Sequence, residues 1–356
     1  MITKLHLKNF KSIVDEELDL SYLTLLTGVN SSGKSSVIQA LRIIQKAALS
    51  DFHLNESEDV VTLRGGLPEL SGHGNYIDLQ SKEGSAEGQN DISFRLEDDN
   101  LNHLDFSIFG DLFICEETNL SISNFTNLVY IGADRLGPQV FIPTVKQENN
   151  PLGERGEHCY QYIAYNADRK INPPVVKEKQ QSLRLAIDSW MSEIAPGSEL
   201  KATFHDAFDI SSLEVDGYRP TNVGFGVSYC LPIITALLAF ANSNPEKKIN
   251  NILCIENPEA HLHPKAQTKM GELIARCAAS GTQVIVETHS DHLLDGIRIA
   301  VKNKLLSSQK TAIHFFDKIN KCTVVESPQL DETGNIKQWP KGFFDQFMVN
   351  GRELLK

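Results

Sequence analysis

The sequence predicts an α/β fold built on a parallel or mixed sheet, with an antiparallel β lobe and a helical insertion. Three observations carry this. LTLLTG (Leu23–Gly28) is a continuous apolar run suited to a buried strand, and it leads through a glycine turn into SSVIQALRIIQKAAL. There Ile38, Leu41, Ile44 and Ala48 recur near helical spacing. The short alternating runs ISFRL, LDFSIF, LFIC and NLSIS predict hairpins. Beyond Cys230, buried strands and helices alternate again.

The elements follow in order. ITKLHLKNF alternates as a strand does, and LTLLTG, glycine turn and helix form one βα unit. Gly65-Gly66, Gly72-His73-Gly74 and SKEGSAEGQND are turn-rich. Residues 140–200 predict polar loops and one helix around QQSLRLAIDSWMSEI, ended by Pro196-Gly197. CLPIITALLAFA predicts a buried helix, ILCI a buried strand, KAQTKMGELIARCAA a helix and QVIVE a second buried strand. HLLDGIRIAVKNKL predicts a helix, and TAIHFF and CTVVE the last strands. The expected organisation is a discontinuous head, 1–80 and 200–356, around an insertion at 81–199.

Composition narrows the class. The chain has 356 residues, 34 basic and 46 acidic, for a formal net charge of −12. At 41% hydrophobic and 22% charged it is an ordinary globular chain, which excludes wholesale disorder and collagen-like repeats. The acidic balance argues against a surface coated in basic groups, though a local nucleic-acid site is compatible with it. Six cysteines without a CxxC pair predict reduced thiols rather than a disulfide framework. The charged start MITKLHLKNFKSIV is no signal peptide, and the longest apolar run is too short to span a bilayer. The expectation is a cytoplasmic protein without a membrane partner.

GVNSSGKS, Gly28 to Ser35, matches GxxxxGK[ST] between a predicted strand and a predicted helix, the context the motif requires. Glycines let the backbone curl so that N–H groups face phosphate oxygens, and the helix start adds its positive end. Gly28, Asn30, Ser31, Ser32, Gly33, Lys34, Ser35 and Ser36 form the expected nucleotide-binding set. Lys34 neutralises the β/γ-phosphates, and Ser35 offers a hydroxyl to Mg²⁺. The plain alternative, a glycine turn with a surface lysine, does not account for motif and context together.

An ATPase of this kind needs an acidic residue at a neighbouring strand end to hold the Mg²⁺ shell. Glu256, after the four apolar residues ILCI and followed by Asn257-Pro258, is the candidate; an ordinary surface glutamate is the alternative.

With these residues in view, the chain resembles ABC-class ATPases of the structural-maintenance and overcoming-lysogenization-defect type, which include RecF-like and phage-defence ATPases. FKS (Phe10-Lys11-Ser12) with LTLLTGVNSSGKSS resembles the family's opening. ENPEAHLHP resembles its Walker B and D-loop, ETHSDHLL its switch-histidine segment and VGFGVSYCLPI its signature segment. GNIKQWPKGFFDQF resembles a tail of uncharacterised function found on some members.

The resemblance implies an ABC-ATPase head that binds ATP and Mg²⁺ and pairs with a second head. Gly224, Gly226 and Ser228 of one head would complete the other's site. Two glycines permit close backbone approach, and a serine near a helix start can donate to a γ-phosphate. A glycine-containing loop before a core helix is the competing reading. His289 matches the switch histidine, with a capping or core-edge histidine as the alternative. His261 and His263 fall on the D-loop, and His263 stands where the family often has Asp. One departure matters. The family's strand ends in Asp-Glu, the second residue polarising the attacking water, and here the pair is Glu256-Asn257. An amide is not a general base. Either hydrolysis is slow, or Glu259 or Glu287 substitutes. The catalytic set is therefore Glu256, Asn257, Glu259 and His289, with Ser35 and Glu256 as metal ligands.

Two histidines at i, i+2 do not share a helix face, so His261/His263 with His289/His292 do not read as a zinc site. Arg135 follows a predicted strand; an ion pair with Asp134 is one reading, a nucleotide- or interface-contacting arginine the other. Arg169, Lys170, Lys177, Lys179 and Arg184 read as a solvated face or, alternatively, a DNA-facing patch. About sixty residues after the switch segment are too few for a C-terminal nuclease domain. The expectation is therefore a head dimer that controls a separate effector, such as a nuclease. The resemblance sets this in anti-phage defence of the Septu type. A RecF-like DNA-repair ATPase and a nucleotide-gated scaffold with little hydrolysis are the alternatives.

Overall fold

A computed structural model describes residues 1–49, 60–63, 76–82, 91–109, 112–118, 120, 125–144, 151–171, 174–176, 181–197, 199–241 and 251–356. Gly65-Gly66, Gly72–Gly74, most of the 81–91 stretch, most of NLSIS, Lys177 and Lys179 lie outside the described residues. The chain forms two compact units. The first comprises 1–128, 312–329 and 336–356, and the second comprises 129–311 and 330–335.

In the first unit β1 (Ile2–Phe10) and β2 (Ile13–Asp19) precede β3 (Leu23–Gly28) and α1 (Lys34–Leu49). Then come β4 (Val60–Leu63), the short α2 (Tyr76–Leu79), β5 (Ile92–Asp98), β6 (His103–Phe109) and β7 (Leu112–Thr118). An antiparallel sheet runs in the order β2-β1-β5-β6-β7-β4. Its register sets Leu7 opposite Phe94 and Phe94 opposite Phe106, all buried. Phe10 meets Phe94 edge-on at 5.1 Å. The period-2 pattern of Leu5, Leu7, Ile92, Phe94, Leu96, Leu104, Phe106 and Ile108 fills one face, as strand geometry requires. The hairpins read from ISFRL, LDFSIF and LFIC are present as β5–β6 and β6–β7. The opening strand β1 pairs with β5, a long-range partnership that local alternation does not reveal.

The chain returns to this unit as β16 (Thr311–Ile319) and β17 (Cys322–Glu326), an antiparallel hairpin. β16 lies beside β3. The helix Gln346–Leu354 ends the chain.

The second unit opens with β8 (Leu128–Ile131), β9 (Phe141–Pro143) and α3 (Cys159–Asn166). Next are β10 (Lys170–Ile171), β11 (Gln181–Ser182) and α4 (Leu183–Ile194). β12 (Leu200–His205) and β13 (Ile210–Val215) form a three-stranded sheet with β9. Then follow α5 (Phe225–Ala239), β14 (Ile252–Glu256), α6 (Pro264–Ala279), β15 (Gln283–Glu287) and α7 (Asp291–Lys302). β14 and β15 pair in parallel, with β8 on the far side of β14. Apolar runs predicted these strands, and each is buried almost throughout. Helix α3 and the β12–β13 hairpin, by contrast, were absent from the sequence expectation. YQYIAYN is too polar and too short to show a period, and LKATFH alternates weakly. α5 is exposed at Phe225, half-buried at Gly226 and Tyr229, and otherwise buried from Val227 to Ala239, despite Pro232 in its interior.

Candidate functional site

Two clusters hold the residues that the sequence singled out, one in each unit. In the first unit the loop between β3 and α1 turns tightly on left-handed backbone: Gly28 at φ +134°, Ser31 at +59° and Gly33 at +109°. For Ser31 this is an uncommon conformation, of the kind that lines up successive N–H groups as an anion-binding concavity. Lys34 is 3% exposed, and its Nζ donates to the Gly28 carbonyl at 3.2 Å and the Val29 carbonyl at 2.6 Å. Ser32 Oγ donates to the Val29 carbonyl at 2.8 Å, and Ser36 N to the Gly33 carbonyl at 3.0 Å. Ser35 is half-buried and Ser36 buried, while Asn30 and Ser31 are exposed at the rim. The structure thus brings all eight loop residues into one compact curl at a helix start.

The hairpin β16–β17 lies against one side of this loop, which the sequence did not foretell. Val29 N donates to the Phe316 carbonyl at 3.2 Å. Thr323 Oγ1 donates to the Ser32 carbonyl at 2.7 Å and lies 2.8 Å from Ser12 Oγ. Lys11 of the FKS stretch reaches Gln39 on α1, and burial pulls its ammonium below the usual lysine value.

In the second unit β14 ends at Glu256, half-buried, whose Oε2 accepts from Ala133 N at 3.3 Å. Asn257 then turns into the left-handed region at φ +45° and donates its N–H to the Glu287 carbonyl at 2.8 Å. Its Oδ1 is sealed from solvent without a hydrogen-bond partner among the described residues. Glu287 lies opposite Glu256 in the β14–β15 register and is 6% exposed. Glu259 is committed locally: its two oxygens accept from Thr288 Oγ1 at 2.7 Å and His289 N at 2.8 Å. The His289 ring is exposed.

Arg135 organises this strand end. Its guanidinium, 2% exposed, donates to the carbonyls of Gly132, Glu256 and Asn257, each at 2.7 Å. It lies 5.5 Å from the Tyr229 ring centroid. Burial pulls its pKa below the ordinary arginine value, against the opposing charge of Glu259. An ion pair with Asp134 is not formed; Asp134 pairs with Arg155 at 3.1 Å. A buried fork with three carbonyls to satisfy cannot also turn outward to a surface carboxylate.

The same cluster gathers the segments Gly224–Ser228 and His261–His263. Gly224, exposed, is the N-cap of α5, with nothing within 4 Å of a side chain placed there. Gly226 approaches the His261 carbonyl so closely that a methyl group would stand 3.0 Å from it. Ser228 is buried, with the Tyr160 hydroxyl as its neighbour but no hydrogen bond of normal geometry. Burial pushes the Tyr160 phenol up to about 12. His261, at φ +62°, sets its ring 4.5 Å from Tyr229 and 5.7 Å from Phe225. His263 caps α6, its Nδ1 accepting from Lys265 N at 3.3 Å. Among the described residues no group of three or more His, Cys, Asp or Glu side chains forms a metal cage. One hydroxyl and one carboxylate, Ser35 and Glu256, are nonetheless hard oxygen donors of the kind Mg²⁺ takes alongside phosphate oxygens and water.

A curled glycine loop at a helix start and an acidic residue ending a buried strand define a P-loop ATPase. The chain belongs to the AAA ATPase domain family, which it matches over residues 1–211 and 199–294. Residues 306–354 match a second family, described as a protein of unknown function, DUF3696. The Old nuclease of Escherichia phage P2 is 23% identical over 212 residues. That match takes in 53% of this chain and 35% of the nuclease, so the chain spans about a third of its curated relative. Among solved structures, an SmcHead bound to the C-winged helix domain of ScpA has a TM-score of 0.51 at 16% identity, covering 93% of this chain and 98% of that one. An Smc head domain with an extended coiled coil, bound to a ScpA C-terminal domain derived from Pyrococcus furiosus, has a TM-score of 0.50 at 11% identity. It covers 100% of this chain and 99% of the other. The fold is that of an Smc head.

Proposed function

We propose that this chain binds ATP with Mg²⁺ on the loop Gly28–Ser36, hydrolyses it, and uses nucleotide binding to pair two heads that control a separate effector. The loop's backbone carries the reading: left-handed Ser31 and Gly33 at the start of α1, with Lys34 folded over the loop. Lys34 Nζ, now on loop carbonyls, is placed to exchange them for phosphate oxygens. Ser35 and Glu256 would hold Mg²⁺, which withdraws charge from the phosphates. Gly224, Gly226 and Ser228 would complete the site of a second copy, and His261 and His263 would face that copy. Because Ser228 is buried, the first-turn N–H groups after Gly224 make the main contact in this reading. The discontinuous head, 1–80 and 200–356, with its insertion at 81–199, belongs to the same proposal.

Hydrolysis is slow in this reading. Asn257 cannot take a proton, and both Glu259 oxygens are engaged with the segment after β15. In this reading Glu287, buried at the adjoining strand end opposite Glu256, is the carboxylate that would order water. A long-lived ATP state suits a switch more than a motor. Its setting in this reading is defence against phage, which rests on the family resemblance alone; the likeness to the Old nuclease supports only the link to a nuclease.

The test is the mass in solution with and without ATP–Mg²⁺, for the parent, Glu256→Gln and Lys34→Ala, with phosphate release read from the same samples. The expected result is an ATP-dependent rise in mass that persists in Glu256→Gln and is lost in Lys34→Ala. A parent that neither binds ATP nor changes mass would overturn the proposal. Fast phosphate release without a change in mass would instead favour a plain ATPase.

A further inference from the structure

The hairpin β16–β17 lies in the stretch that matches the family of unknown function, and it touches the phosphate loop at both ends. At the entry, Val29 N–H is held by the Phe316 carbonyl. A trans peptide sets its C=O opposite its N–H, so the Gly28 carbonyl points away from the hairpin, where Lys34 Nζ takes it. At the exit, Thr323 Oγ1 holds the Ser32 carbonyl. By the same planarity Gly33 N–H points away from the hairpin. Thr323 is 4% exposed, and its hydroxyl is fixed in turn by Ser12 Oγ, while its N–H donates to the Ser12 carbonyl at 2.7 Å. Side chains at Gly28 or Gly33 would collide with Phe316 or Thr323, so the contact is close along the loop. Behind the hairpin, Phe315 packs edge-on at 5.6 Å against Phe343, which is fully buried.

We infer that Thr323 is a positioning residue for nucleotide binding: through the Ser32 carbonyl it presets the Gly33 peptide, and the C-terminal hairpin thereby senses whether the loop is filled. The inference rests on the nucleotide reading of that loop. The physical cause is preorganisation. A loop whose peptide planes are already turned does not spend binding energy on turning them. Coupling is reciprocal, so nucleotide that tightens the loop also tightens the hairpin.

The experiment measures ATP–Mg²⁺ affinity by equilibrium titration and thermal midpoint on the parent, Thr323→Val, Thr323→Ser and Ser12→Ala. Valine keeps the shape and removes the hydroxyl. The expected loss in affinity is about tenfold for valine, with recovery to within about twofold for serine. Ser12→Ala frees the Thr323 hydroxyl from one partner and weakens binding by a smaller factor; it serves in place of valine if that variant fails to fold. In the parent, amide exchange over Cys322–Glu326 slows when ATP–Mg²⁺ is added. A folded Thr323→Val that binds as the parent does, or hairpin amides indifferent to nucleotide, would overturn the positioning role while leaving the nucleotide reading intact. A parent that binds no ATP would remove both.

Discussion

His314 shows how a single residue here reports on pH. Its Nδ1 lies 2.8 Å from Ser327 Oγ and its Nε2 2.8 Å from the Asp19 carbonyl oxygen. A carbonyl only accepts, so the proton sits on Nε2 and the serine hydroxyl donates to Nδ1. Burial, the leading cause, pulls the ring below the usual histidine value. The neutral form is favoured in the folded state. That stability is therefore present above the ordinary histidine range and lost as pH falls through it. Urea midpoints at pH 7 and pH 5 should separate in the parent, and the gap should narrow in His314→Gln. Cysteines behave in the opposite sense. Burial pushes Cys159, Cys230 and Cys277 up to about 12, so their contribution holds below the ordinary thiol value and falls as pH rises beyond it. At pH 8 iodoacetamide should spare these three in the folded protein and modify half-buried Cys322, read by peptide mass. Arg135→Met would strand three carbonyl oxygens and should cost about 3 kcal/mol in urea unfolding. Arg135→Lys should recover only part, because an ammonium lacks the planar fork.

Elements are set by where they must come close. Helices α6 and α7 cross where Gly271 and Gly296 face each other's backbone. A methyl group on Gly271 would meet the Leu293 carbonyl, and one on Gly296 the Thr268 carbonyl. Since α7 starts a few residues after Glu287, this crossing fixes the direction in which the His289 segment leaves β15. Ser290 caps α7 by accepting from Leu293 N at 2.9 Å, and its hydroxyl also reaches Gln267 on α6. Gly296→Ala should lower stability by about 2 kcal/mol through forced separation of the helices. The same variant should alter the His289 segment, read as faster amide exchange over residues 287–291. The βα unit at the phosphate loop was legible because motif, apolar run and helical period coincide in one stretch. The partners of β1 and the hairpin behind the loop were not legible, since nothing local in CTVVE distinguishes a strand that braces a loop from one that merely ends a sheet.

At the scale of the whole molecule, the testable quantity is linkage between ligand and stability. A ligand at a hundred times its dissociation constant stabilises the folded chain by about 2.7 kcal/mol. ATP–Mg²⁺ should therefore raise the thermal midpoint of the parent and leave Lys34→Ala unmoved, read by scanning calorimetry. Net charge sets a second expectation. At −12 the chain should not bind duplex DNA through a general field, so affinity through the DNA-facing reading would come from the local group Arg169, Lys170, Lys177, Lys179 and Arg184. A steep salt dependence that flattens on their removal would speak for the RecF-like reading and against the effector switch. Among the described residues no helix is long and apolar enough to cross a membrane.

The sequence by itself determined the phosphate loop, the strand ending in Glu256, the two buried parallel strands and most of the helices around them. Each depends on residues within one short window: a motif of eight positions, an apolar run, a helical period. Tertiary structure alone decided what Arg135 holds, that both Glu259 oxygens are already engaged, that Ser228 is buried and that Thr323 sits on the Ser32 carbonyl. Hydrogen-bond partners separated by tens or hundreds of positions leave no period in the chain. They are fixed only when packing excludes water and each buried donor must find an acceptor.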